Sequence, residues 1–258
     1  MIIPDLKKTL EKNGVEKNDA VCVFSDITSF GIPRSMKEKV KAEGVDFLME
    51  SYIDTFKSLI GTGGMLVMPT FSYSACKGEV FSVEATGSTV GALTEYFRKK
   101  KGVCRSAHPI FSFCASGKGA EELLDITDFD CFGKDSVFGR LYDKHAKYVL
   151  FGVDMQHGAS YVYYTEQKIG VYYRYFKYFP ATVRYKSSEV KMNIRYFVRD
   201  LELSYTDYWH DLERKSIEAG VTRCLEFGGG RILTMKSQDI DALIREEVGK
   251  NKDYLIRR

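Results

Sequence analysis

Four short apolar runs set the terms for how this chain folds. They are AVCVFSD (20–26), MLVMPTF (65–71), FSFCAS (111–116) and KYVLFGVD (147–154). Each is rich in Val, Leu or Phe and short, as strands covered on both faces of a sheet are. Amphipathic segments separate or precede them. Residues 3–13 carry Ile3, Leu6 and Leu10 at helical spacing with Asn13-Gly14 as a stop, and 44–61 ends in Gly61, Gly63 and Gly64. Residues 88–100 open on a Ser/Thr cap, and 117–126 and 137–144 read as helices between the last two strands. The alternation predicts an α/β fold, an open mixed sheet with helices on both faces. After residue 180 the texture changes. Residues 182–201 alternate like antiparallel strands or a hairpin, and then come a helix, a glycine turn at 228–230, a strand and a terminal helix. No linker rich in Pro, Gly or Ser intervenes. Residues 1–258 are therefore read as a single domain, with 180–258 as an antiparallel and helical C-terminal elaboration packed on the main sheet.

Charge excludes little but is informative. Thirty-eight basic and 35 acidic residues leave a net +3, and the basic residues are spread, which argues against a nucleic-acid partner. The run Arg98–Lys101 reads as a solvated helix end. No window approaches the roughly 18 apolar residues of a membrane span, and the N-terminus has no secretory layout. Six cysteines show no CxxC spacing. Free thiols in a reducing cytoplasm, without a metal site, are the expectation.

Glycine-rich GTGG (61–64) and GGG (228–230) precede strands, whereas a phosphate loop follows one and opens a helix. Both read as turns. Ligands on open α/β sheets bind beyond the carboxyl ends of strands, which marks the loops 26–31, 69–77, 105–109 and 153–160. Two of the four histidines fall there, His108 and His157, as candidates for general acid–base work. His145 and His210 read as surface residues. The aromatic belt at 160–179 suggests a pocket wall or a surface for a homodimer.

The succession VFSDITSFG, GTGGMLVMPTFSYS, STVGALTEYFRKKKGVCRSAHPIFSFCASG, FGKDSVFGRLYD and YVLFGVD…YYTEQ resembles the aminoglycoside 3-N-acetyltransferase family over roughly residues 20–167. The resemblance implies transfer of acetyl from acetyl-CoA to an amine. It implies co-substrate contacts at Thr28, Ser29, Phe30 and Gly31, faced by Arg105, Ser106, Ala107 and His108. It implies substrate contacts at Thr70, Phe71, Tyr73, Asp154 and Ser160. The stretch YYTEQKIGVYYRYFKYF (163–179) further resembles a subgroup with bacterial surface-polysaccharide functions. For that subgroup the acceptor is an amino sugar, here expected as a nucleotide-linked 3-amino-3,6-dideoxyhexose, with an aminoglycoside antibiotic as the alternative.

One departure concerns the base. The family pattern after this strand is roughly Thr-x-x-His-x-x-Glu, and alignment on Glu166 puts Ser160 at the Thr and Tyr163 at the His. Three readings follow. His157 acts as base, with Glu166 an orienting carboxylate. Or Tyr163 positions the amine while Asp26 or Asp154 takes the proton. Or the chain binds CoA or a sugar nucleotide without turnover.

Overall fold

The four apolar runs all become strands. A computed structural model describes residues 1–126 and 129–258. In chain order α1 (Pro4–Lys12) leads to β1 (Ala20–Ser25), and α2 (Lys37–Glu43) and α3 (Val45–Ile60) lead to β2 (Met65–Pro69). Next come β3 (Phe81–Ser82), α4 (Ala92–Arg98), β4 (Cys104–Arg105), β5 (Phe113–Gly117), α5 (Ala120–Leu124), α6 (Val137–Asp143) and β6 (Lys147–Phe151). The remainder is α7 (Met155–Gly158), α8 (Val162–Ile169), β7 (Arg174–Tyr185), β8 (Ser188–Arg199), β9 (Thr206–Asp207), α9 (His210–Glu218), β10 (Thr222–Phe227), β11 (Gly230–Lys236), α10 (Ser237–Lys250) and β12 (Ile256–Arg257).

The main sheet has the order β10-β11-β6-β1-β2-β5-β4. Its centre is parallel, since β1 pairs in parallel with both β2 and β6. The flanking pairs are antiparallel. Because side chains alternate along a strand, the apolar runs feed two cores. Cys22, Phe24, Val67 and Leu150 meet Leu123, Leu141, Val162 and Ile244 of the helices on one face. Val21, Val23, Leu66 and Phe151 meet Leu6, Leu10, Tyr52 and Phe56 on the other. This is the expected α/β arrangement, with helices on both faces.

Three boundaries differ from expectation. The helix expected over 88–100 begins at Ala92, with Gly91 at its N-cap and no side-chain cap; Glu95 Oε2 instead reaches back to the Ser88 N–H at 2.8 Å. The hairpin expected from 182 starts at Arg174, so the aromatic belt is divided between α8 and β7. Third, the part beyond 180 supplies two strands of the main sheet, β10 and β11, joined by the glycine turn. β7 and β8 pair over their full length and form, with β3, a separate three-stranded sheet. Among the described residues no helix is long and apolar enough to cross a membrane.

Candidate active site

The carboxyl ends of the parallel strands β6, β1 and β2 lie side by side, so the loops after them share one rim. β1 continues into Asp26, whose N–H donates to Phe151 O at 3.0 Å. The Asp26 carboxylate then accepts from the Thr28 N–H at 3.0 Å and the Thr28 hydroxyl at 2.6 Å, which caps a single 3-10 turn. Phe30 anchors the turn from below. Its ring lies 4.5 Å from Phe151 and 5.3 Å from Phe227, a burial that contributes about 2 kcal/mol. The glycine turn holds it from above, with Gly229 N–H donating to Phe30 O at 3.1 Å. A Cβ at Gly228 would stand 2.5 Å from that oxygen, and its φ of +58° already favours glycine. The 228–230 turn therefore does more than reverse the chain: it clamps the loop. Thr28 and Gly31 are exposed and Ser29 is half-buried, whereas the Phe30 side chain belongs to the core.

The segment 105–108 lies beside the loop after β2. Thr70 N–H donates to Ser112 O and Ser72 N–H to Ile110 O. Arg105 binds the two together, donating to Thr70 O at 2.8 Å, to Val83 O at 3.2 Å and to Thr86 O. Burial pushes its pKa down to about 10. Ser106 is fully buried, its hydroxyl accepting from Phe113 N–H at 2.9 Å. Ala107 is half-buried. His108 is buried, and its Nδ1 accepts from the Ile110 and Phe111 N–H groups at 3.2 and 3.0 Å. Those bonds require a lone pair on Nδ1, so the proton sits on Nε2. Burial pushes the imidazole down to about 3. Both the burial and the bonds to Nδ1 favour the neutral imidazole at His108. Thr70 and Phe71 are also buried. Of the expected substrate contacts on this loop, Tyr73 alone keeps a half-exposed side chain, with φ +56° and burial raising its phenol to about 12.

Beyond β6 two of the rival bases prove to be one unit. Asp154 caps α7, accepting from the His157 N–H at 3.0 Å. The same oxygen lies 2.7 Å from His157 Nδ1. With Nδ1–H given to the carboxylate, Nε2 is left as a free acceptor, and 72% of the imidazole side chain is exposed. Ser160 is half-buried on the turn that follows.

One helix further on, Tyr163 and Glu166 sit a turn apart on α8. Glu166 is not on the helix surface. It is fully buried, accepts from the Tyr173 hydroxyl at 2.8 Å, and faces Arg174 Nε at 2.7 Å. Burial pushes its carboxyl up to about 7, against the pull of Arg174. Arg174 also holds Asp207 at 2.7 Å, and the two carboxylates outweigh burial to keep the guanidinium charged. The Tyr163 hydroxyl donates to Asp207 Oδ2 at 3.3 Å. Its ring lies 5.5 Å from Phe132, 5.2 Å from Trp209 and 4.5 Å from the Arg174 guanidinium. Burial raises this phenol far above its ordinary range, so it is a hydrogen-bond donor and not a base.

Arg174, Asp207 and Trp209, which surround Tyr163, are residues that sequence reasoning passed over. Arg174 was visible within the aromatic belt; the signal for the others is an acid inside the aromatic run YTDYWH (205–210). Among the described residues no group of His, Cys, Asp or Glu is arranged to hold a metal ion.

These features define a class: an α/β protein with a polar candidate site at the carboxyl ends of its central parallel strands, where open sheets of this kind bind ligands. The model of the aminoglycoside 3-N-acetyltransferase family matches residues 35–247, and the chain belongs to that family. It is 32% identical over 104 residues to aminoglycoside N(3)-acetyltransferase IV from Salmonella sp, a match that spans 39% of this chain and 39% of that relative. Three solved structures share the fold. The apoenzyme of aminoglycoside acetyltransferase AAC(3)-IVa is 20% identical, with TM-score 0.77, covering 98% of this chain and 90% of its own. AAC-IIIb, solved as a binary complex with CoASH, is 16% identical, with TM-score 0.80 and 97% of both chains covered. The YokD protein from Bacillus subtilis is 18% identical, with TM-score 0.77, covering 97% and 94%.

Proposed function

We propose that the chain transfers acetyl from acetyl-CoA to an amine of an amino sugar, with an aminoglycoside-type acceptor. The observation that carries this reading is the Asp154–His157 pair at the end of β6, 2.7 Å apart, in a chain of this family. Acyl transfer needs a neutral amine as nucleophile, and a base within reach must take its proton. With Nδ1–H given to Asp154, which orients the ring, Nε2 of His157 presents the lone pair that takes that role. As the amine attacks the thioester carbonyl, its proton passes to Nε2, the tetrahedral oxyanion forms, and the CoA thiolate leaves. Tyr163 stays protonated and serves as a donor in the acceptor region. The clamped turn 26–31 offers Thr28, Ser29 and backbone groups to acetyl-CoA, in keeping with the complex of AAC-IIIb with CoASH.

The comparisons favour the antibiotic-type acceptor over the nucleotide-linked 3-amino-3,6-dideoxyhexose first expected, since the matched relatives are named for aminoglycosides. A cytoplasmic setting, where acetyl-CoA is supplied, suits the reading. Release of free thiol from acetyl-CoA in the presence of gentamicin tests it. Release that depends on gentamicin supports the proposal; release only with an amino-sugar nucleotide moves the acceptor to that class; CoA binding without turnover on any amine overturns both.

A further inference from the structure

We propose that Asp207, Tyr163 and Trp209 form an anchoring subsite for the acceptor, in which Asp207 takes an ammonium and the Trp209 indole N–H takes a neighbouring hydroxyl oxygen. The inference rests on the amino-sugar reading above and adds residues that reading does not use. Asp207 lies on β9, and its main-chain oxygen accepts from Gln156 Nε2 at 3.0 Å. The other end of the same amide accepts from the Trp209 N–H at 2.7 Å. Gln156 thus fixes both residues against α7, next to His157.

The two carboxylates around Arg174 are not equivalent. Glu166 has no exposed surface, whereas the Asp207 side chain is 20% exposed. One Asp207 oxygen is committed to Arg174, and among the described residues the other is met only by the Tyr163 hydroxyl at 3.3 Å, long for an O–H···O bond. A carboxylate offers about four acceptor sites, so Asp207 has capacity for a cationic donor. Arg174 meets one Asp207 oxygen, Oδ1, and leaves Oδ2 to other donors.

Trp209 supplies the complementary need. It is buried, and its Nε1–H has no acceptor among the described residues. An orphaned buried donor is costly, and a ligand oxygen would relieve it. Its ring packs 5.2 Å from Tyr163, two residues from Asp207. A ligand with an ammonium beside a hydroxyl, the vicinal amino alcohol of an amino sugar, satisfies both groups at once.

Trp209 is the only tryptophan in the chain, so its emission reports on this place alone. The full-length protein is titrated with gentamicin without acetyl-CoA, and separately with an amino-sugar nucleotide. A saturable change in emission is expected with an amine that the protein acetylates. Asp207→Asn is expected to raise the apparent Kd at least tenfold while acetyl-CoA binding is unchanged, and Asp207→Glu to restore part of the loss. Should Asp207→Asn fail to fold, Trp209→Phe keeps the charge network and is read by calorimetry, with weakening of several-fold or more expected. Emission unmoved by either amine, or variants that bind like the wild type, would overturn the subsite. Thiol release from acetyl-CoA is read separately. Its absence with the Trp209 response intact sinks transfer alone, whereas turnover without a response sinks the subsite alone.

Discussion

Arg174 Nε lies 2.7 Å from Glu166 Oε2, with 4% of the arginine side chain and none of the glutamate exposed. The pair stands on α8 and the first residue of β7, so it ties the helix carrying Tyr163 to the hairpin. Removing one member of a buried pair strands the other charge. Arg174→Met is therefore expected to cost about 3–5 kcal/mol. The double variant Arg174→Met/Glu166→Gln should be more stable than Arg174→Met alone. Denaturant unfolding of the three proteins at pH 8 checks both statements, and equal loss in the single and double variants would refute the stranded-charge account.

The same carboxylate gives stability a pH dependence of definite sign. Burial raises Glu166 from about 4.5 to about 7, so the folded state holds this proton more tightly than the unfolded chain. Its contribution is complete below the ordinary glutamate value and is lost as pH rises through about 7. Melting temperatures of the wild type and Glu166→Gln, compared from pH 5 to 8, should converge or cross because the wild type alone loses this term. Parallel curves would show that Glu166 titrates normally.

Gly228 presses on the loop expected to meet acetyl-CoA. An added methyl at 2.5 Å from Phe30 O, on a residue with φ +58°, costs at least the 1–2 kcal/mol of a left-handed non-glycine residue. Gly228→Ala should lower stability by about that amount or more and weaken acetyl-CoA binding, read by calorimetry. A stable variant with unchanged affinity would mean that the clamp does not shape the loop.

In the proposed mechanism Asp154 acts on His157 only through orientation and tautomer. Asp154→Asn is therefore expected to lower kcat for acetyl transfer while leaving KM for acetyl-CoA within about threefold, and to lower it less than loss of His157 itself. Steady-state kinetics on both variants separate the roles. Equal and complete loss in the two would point to Asp154 as the group that takes the proton.

Much of the fold was legible because β1, β2, β5 and β6 are apolar runs buried on both faces, and glycines mark several ends. Asp154 and His157 were legible as candidates, and their spacing of three allows a cap and its capped residue to meet. The Arg174–Asp207 contact, 33 residues apart in sequence, was not. It depends on where the hairpin starts, and long-range pairing of Arg174 with Arg199 fixes that register. The setting of His108 was not legible for a local reason: its own turn supplies two N–H donors to Nδ1, a geometry no residue pattern announces. β10 was missed because only Thr222 and Phe227, the ends of this edge strand, are buried, and no apolar run joins them.

The central claim is amine acetylation with His157 as base. Mass spectrometry of gentamicin incubated with acetyl-CoA and either wild-type protein or His157→Asn tests it most directly. The account predicts gain of one acetyl group on an amine with the wild type, and a rate at least about 10²-fold lower with the variant. An unimpaired variant would contradict the role of His157, and no acetylated amine from a folded, CoA-binding wild type, on gentamicin or on amino-sugar nucleotides, would contradict the transferase itself.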